Sequence, residues 1–281
     1  MTVTAARPDG GEIAMLIADV DGTLVTPQKI LTPASVAAVR HLNRAGIKFT
    51  IISSRPPRGM APIIEGLEIR LPFAAFNGGS LIAAATLIEA HRLAPDAARD
   101  MLTLLAKRGI DAWVYAAGDW RLRDPTGPKV GLERLTLGFG PTQVDGFEDV
   151  IDRIDKIVGV SDDHVRLAQV ESEARQLLGV AAAIQRSQAY YLDVTHPLAN
   201  KGAAVGALCR RIGVDLGRTA VIGDMFNDVA MFAPAAFSIA MGQSPAAVKH
   251  SADAVTLANT EDGFAFAVER LVLPRASGAR G

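Results

Sequence analysis

The stretch "IADVDGTLV", residues 17–25, places two aspartates one residue apart directly after an apolar run. That run, "AMLIADV" (14–20), is continuous and of strand length, which predicts a strand buried on both faces. At period two, Asp19 and Asp21 leave the strand on the same side, where a Gly-Thr turn ends it. Two carboxylates held together repel, so a cation, a proton or solvent has to relieve one of them.

Outward from this stretch, strand and helix signals alternate. Thr32 offers an N-cap with Pro33 at the first helical position, and the helical pattern runs to Gly46. "IKFTIIS" (47–53) predicts a second buried strand, and a helix near 57–66 precedes a third, "PFAAF" (72–76). The alternation returns late in the chain, with a helix over "NKGAAVGALCRRIG" and strands at 219–224, 237–241 and 254–257. The short "NDVAMFA" helix, a helix from Ser244 and a closing helix over 261–272 complete that half. This order predicts an α/β fold, a doubly wound parallel (Rossmann-like) sheet with helices on both faces.

The middle differs. "AWVYA" (112–116) alternates at period two, and "HVRLAQVESEARQLLG" is amphipathic at helical spacing. An inserted α+β domain with a one-side-exposed antiparallel sheet is expected. The division expected is a discontinuous core over 13–81 and 191–275, an insert over 82–190, and disordered tails at 1–12 and 276–281.

Composition narrows the class. The 281 residues are 49% hydrophobic and 21% charged with a net charge of −1, which gives no basic footprint for nucleic acid and no polybasic membrane patch. No run approaches the length of a membrane span and the start lacks an apolar signal core, so a cytoplasmic location is expected. The single cysteine, Cys209, sits in a helical pattern and reads as buried packing.

In an open α/β sheet, ligands bind beyond the carboxyl ends of the strands. Asp19, Asp21 and Thr23 follow the first strand; Ser53, Ser54 and Arg55 follow the second; Asn77 follows the third. Asp224, Asn227 and Asp228 follow the strand at 219–224, and Lys201 opens a helix. Carboxylates on two strand ends make a hard, oxygen-rich site suited to Mg²⁺. One ammonium, one hydroxyl and the N–H groups of a Gly-Thr turn suit a phosphoryl group. One aspartate is then expected to attack phosphorus while its neighbour handles the leaving-group proton, which requires that neighbour to titrate well above its ordinary ~3.9.

"DVDGTL", "IISSR", "NKG" and "GDMFND", in that order, resemble the four motifs of the haloacid dehalogenase superfamily. The room for a whole domain between Ser53 and Lys201 resembles the type C2 cap subgroup, and "FNGG" with "AMGQSPAAVKHSADAVTLANTEDGF" looks like its Cof-type branch, subclass IIB. The resemblance implies Asp19 as a nucleophile forming an aspartyl-phosphate and Asp21 as general acid and base. It also implies Ser53 and Lys201 on the phosphoryl group, and Mg²⁺ held by Asp19, the Asp21 carbonyl and Asp224, with Asp228 and Asn227 in support. Ser53-Ser54 stands where Thr-Gly is frequent, and Gln243 where Asn is frequent. Asp at 21, rather than a non-acid or Thr, implies phosphate-ester hydrolysis or phosphoryl transfer, and the resemblance implies small phosphate monoesters, such as sugar phosphates, as substrates.

Arg55, Asn77, Arg121 and Arg123 are the further substrate-binding candidates. Trp113, Tyr115, Trp120, Tyr190, Tyr191 and Asp193 divide between packing and the cleft, and His196 stands near its expected mouth. A phosphosugar mutase, using Arg121 and Arg123 for a second phosphate, and a non-catalytic phosphosugar sensor are the alternatives.

Overall fold

A computed structural model describes residues 11–276. Residues 1–10 and 277–281, most of the two expected tails, lie outside the described residues. The chain begins with β1 (Met15–Ala18), fully buried, and α1 (Pro33–Arg44), whose Thr32 cap accepts the Ser35 N–H. Gly46, at φ 74°, ends that helix in the left-handed conformation that glycine adopts without strain. Then follow β2 (Lys48–Ile51), α2 (Pro57–Gly66) and β3 (Phe73–Ala75).

The middle comprises β4 (Ser80–Ala83), β5 (Thr86–Ala90), α3 (Pro95–Lys107), β6 (Asp111–Ala116), β7 (Asp119–Leu122), α4 (Val130–Leu137) and β8 (Thr142–Gln143). It continues through β9 (Ile154–Val160), α5 (His164–Leu178), β10 (Ala183–Gln188) and β11 (Tyr191–Thr195). The last part holds α6 (Lys201–Ile212), β12 (Thr219–Gly223), α7 (Val229–Phe232), β13 (Phe237–Ala240), α8 (Ala246–Ser251), β14 (Ala254–Val255) and α9 (Gly263–Ala267).

Five strands form a parallel sheet in the order β14-β13-β12-β1-β2. Alternation along β1 sends Leu16 and Ala18 into a core with α1 and α9, and Met15 and Ile17 into a second core with α6 and α7. This is the doubly wound arrangement expected from the alternating signals. The third strand departs from it: β3 meets β2 only through a bridge at Ile52 and Ala74, and otherwise pairs antiparallel with β4, which pairs with β5. The closing helix also departs, because α9 passes into a wide π-type turn over Val268–Val272.

The second large sheet, β10-β11-β9-β6-β7-β8, is mostly antiparallel. β4 and β5 stay with β3, and β11 pairs with β9 and β10 rather than with the parallel sheet. The chain therefore passes between the sheets near 91–94 and 196–200. The exposed face expected of this sheet is absent among the described residues. Val114 and Ile157 pack under α3 and α5, while Trp113, Tyr115, Trp120 and Val158 turn the other way and join the core that holds Leu16. At roughly 2–3 kcal/mol per buried aromatic side chain, this face packs strongly against its neighbours. No helix among the described residues is long and apolar enough to cross a membrane.

Candidate active site

Asp19 ends β1, its N–H donating to the Ile222 carbonyl at 3.0 Å, and the chain then turns on itself. The N–H groups of Thr23, Leu24 and Val25 all donate to the Val20 carbonyl, at 3.0–3.3 Å. Gly22 makes this turn possible. Its φ is +84°, and a Cβ there would lie 2.2 Å from Asp224 Oδ2. Gln243 Nε2 donates to the Gly22 carbonyl at 2.6 Å, and Asn259 Nδ2 to the Val25 carbonyl at 2.9 Å, so two loops from the far half pin the turn.

Lys201, at the start of α6, is buried between two carboxylates and donates to Asp19 Oδ1 and Asp228 Oδ1, each at 2.5 Å. Asp228 spends its other oxygen on the Asp224 and Met225 N–H groups, at 2.8 and 2.9 Å. It thereby shapes the loop that presents Asp224. Burial pushes Asp19 up to about 7 against the pull of Lys201, and burial followed by the Asp19 and Asp228 charges pushes Asp224 well up. Burial would strip Lys201 of its proton, but its two carboxylates outweigh that and raise it.

Asp21 behaves opposite to expectation. Burial would raise it, yet Arg55 and then Lys29 dominate and hold it well below the usual carboxylate range. Arg55 grips both oxygens, Nε to Oδ2 at 2.7 Å and Nη2 to Oδ1 at 2.8 Å, while Lys29 Nζ donates to Oδ1 at 2.8 Å. A fork matched to a carboxylate is a strong charge-assisted contact. The expectation of a raised value weighed Asp19 and burial against Mg²⁺ and Lys201 and did not place these two cations.

The remaining motif residues sit around this centre. Ser53 is fully buried and its hydroxyl accepts the Arg55 N–H at 3.1 Å. Asn77, buried at φ 58°, accepts from Asn227 Nδ2 at 3.2 Å. Asp19, Asp21, Arg55, Asp224 and Asn227 line one cavity of about 370 Å³, roofed by Trp113, Glu133, Lys156, Val158, Tyr191 and Asp193 from the second sheet region.

Arg121 and Arg123 do not reach that cavity. Alternation on β7 turns Trp120 and Leu122 to the cleft face and Arg121 to the other. There Arg121 pairs with Asp149 at 2.6 Å, and Arg123 lies over the Phe147 ring. His196 is also outside the cavity lining; it stacks on His91 and its Nδ1 accepts the Leu198 N–H. Cys209 is buried against Thr219.

Lys29, Glu133, Lys156, Gln243 and Asn259 contribute to the site without having been singled out as site residues from the motifs. Lys156 carried the clearest signal, a lysine inside the apolar strand "IDKIVGV". Its Nζ donates across to the Ser54 carbonyl at 3.1 Å.

Comparison with known proteins agrees with this architecture. A family model described as haloacid dehalogenase-like hydrolase matches residues 16–268. The chain is 26% identical over 258 residues to a pyridoxal phosphate phosphatase of Escherichia coli, covering 88% of this chain and 94% of that protein. It is 25% identical over 264 residues to a 5-amino-6-(5-phospho-D-ribitylamino)uracil phosphatase of Bacillus subtilis, covering 93% and 97%. Among solved structures, a haloacid dehalogenase-like hydrolase from Bacteroides thetaiotaomicron superposes with a TM-score of 0.84 at 25% identity, covering 92% of this chain and 100% of that one. With the motif order and the two-sheet architecture, these matches mean that the chain belongs to the haloacid dehalogenase-like hydrolases, in their Cof-type branch.

Proposed function

We propose that the chain is a magnesium-dependent phosphatase that hydrolyses small phosphate monoesters through an aspartyl-phosphate on Asp19. The observation that carries this reading is the Asp19 carboxylate at a strand end, held by a buried Lys201 beside a second and third carboxylate and open to a 370 Å³ cavity. Relatives named for pyridoxal phosphate and for a phosphoribitylamino-uracil support a small phosphorylated metabolite as substrate. We further assign residues 91–195 as the cap and the parallel-sheet half as the catalytic core.

The donor set fits Mg²⁺. Asp19, Asp224 and Asp228 are buried and each offers an oxygen within 4.8 Å of the others, with Lys201 as their shared ammonium. Because Lys201 and backbone N–H groups already occupy Asp228, the holding residues would be Asp19, Asp224 and the Asp21 carbonyl, with Asp228 and Asn227 as supports. Bound there, the ion would shield charge between nucleophile and phosphate.

In the first step an Asp19 oxygen forms a bond to phosphorus as the ester P–O bond breaks, and Asp21 gives its proton to the departing oxygen. In the second, water attacks phosphorus while Asp21 takes a proton, which releases phosphate and restores Asp19. Lys201 orients Asp19, and with Ser53 it would hold the phosphoryl oxygens. As held by Arg55 and Lys29, Asp21 is prepared as the base of the second step. Its role as acid in the first requires the incoming phosphate dianion to draw charge from those two cations.

The mutase alternative needs a second phosphate grip in the cap, and the arginines that would supply it face away from the cleft. The direct test is phosphate release from a panel of monoesters with and without Mg²⁺, beside Asp19→Asn. Release that depends on the metal and falls to background in the variant is expected. Undiminished release from Asp19→Asn would reject Asp19 as nucleophile.

A further inference from the structure

The roof of the cavity contains a buried carboxylate whose presence the chemistry above does not require. On β11, Tyr191, Asp193 and Thr195 point to one face, and Asp193 stands opposite Val158, itself opposite Trp113 on β6. Asp193 is 1% exposed and lines the cavity, yet neither of its oxygens has a hydrogen-bond partner. Its charge is paired with the Lys156 ammonium, whose Nζ stands 3.8 Å away, and Ser187 lies beside it. Buried polar groups are ordinarily hydrogen-bonded, so a carboxylate that faces a cavity with an ion pair but with its hydrogen-bonding capacity open marks a place for a ligand.

The neighbours define what that ligand group must be. Lys156 is drawn toward the Ser54 carbonyl at 3.1 Å and lies 4.9 Å from the centre of the Tyr115 ring. Glu133 lines the same roof and is held by the Tyr115 hydroxyl at 2.6 Å and the Tyr191 hydroxyl at 3.4 Å. The roof therefore presents two carboxylates against one ammonium. Burial pushes Asp193 up while the Lys156 ammonium beside it favours the ionised form, and a carboxylate so paired accepts hydrogen bonds, so a group opposite it has to donate. Trp113 offers ring surface to the carbon skeleton beside it.

Resting on the phosphatase reading, we propose that Asp193, with Glu133 beside it, is the acceptor subsite that selects leaving groups bearing hydroxyl or ammonium donors and rejects a second anionic group. Asp193 is then a specificity-determining residue. It acts on the leaving group and takes no part in the phosphoryl transfer at Asp19.

The test compares wild type with Asp193→Asn, with Mg²⁺, on glucose 6-phosphate, glucosamine 6-phosphate, 6-phosphogluconate and p-nitrophenyl phosphate. The first two separate hydroxyl from ammonium donors, and the third adds a carboxylate to the same skeleton. In wild type, kcat/KM is expected to be lowest for 6-phosphogluconate among the three sugar-derived esters. In Asp193→Asn, the ratio of kcat/KM for the better donor-bearing ester to that for p-nitrophenyl phosphate is expected to fall at least tenfold, mainly through KM. The discrimination against 6-phosphogluconate is expected to shrink. Should Asp193→Asn not fold, Glu133→Gln reads the same ratios. An equal fall on all four esters, or unchanged ratios, overturns the subsite while leaving the phosphatase intact. A folded wild type that hydrolyses none of them overturns the phosphatase reading and this inference together.

Discussion

Lys201 shows how much one side chain can hold. It is 2% exposed and is the ammonium shared by Asp19 and Asp228, both buried. Removing one partner of a buried ion pair leaves charge without compensation and costs about 3–5 kcal/mol. Lys201→Met is therefore expected to lose about 3 kcal/mol of stability at pH 8, measured by urea unfolding without metal. The loss should shrink at pH 5, where Asp19, already raised to about 7 in the intact site, takes a proton. A pH-independent loss would show that the pairing is not what stabilises this centre. Asp21 teaches the complementary lesson. Its position was legible from "DVDGTL", but its ionisation was set by Arg55 and by Lys29, the latter on a loop whose approach no spacing reveals.

At the scale of elements, the site is a set of strand-to-loop turns held at close quarters. The turn after β1 approaches the loop after β12 so nearly that only glycine fits at position 22. A left-handed residue other than glycine costs roughly 1–2 kcal/mol, and here the added Cβ would also push Asp224 aside. Gly22→Ala is expected to raise the Mg²⁺ concentration for half-maximal phosphate release at least tenfold, with a smaller change in melting temperature. A metal titration superimposable on wild type would mean that Asp224 is not a metal residue. Strands and helices at this scale were readable from period and caps, as with Thr32 and Gly46. The partners of the strands were less so. β11 reads as an apolar segment near the returning core, and only its register with β9 and β10 places it in the other sheet.

For the whole molecule, the buried carboxylates tie stability to pH and, on the proposed function, to Mg²⁺. Asp19 titrates at about 7 when folded, from an ordinary 3.8, so the folded state binds that proton more tightly than the unfolded chain. Its stabilising effect is complete below about pH 4 and is lost as pH rises toward 7. Asp155, raised by burial to about 6 despite Arg92, acts in the same sense. The metal-free protein is therefore expected to melt lower at pH 8 than at pH 5. A ligand that binds only the folded state adds about 2.7 kcal/mol at a hundredfold excess over its Kd, and protons compete with Mg²⁺ for Asp19. Mg²⁺ should accordingly raise the melting temperature more at pH 8 than at pH 5. An equal rise at both would separate the metal from Asp19. By itself the sequence determined the doubly wound parallel core, the order of the four motifs and the residues that gather at its strand ends, because local period, caps and turn chemistry act within a few residues of chain. Only the tertiary structure decided which face each cap strand turns to the cleft, that Arg121 and Arg123 point away, that Arg55 grips Asp21, and that Lys29 and Glu133 join the site. Those outcomes depend on register and on contacts between segments distant in sequence, where a one-residue shift exchanges one face of a strand for the other.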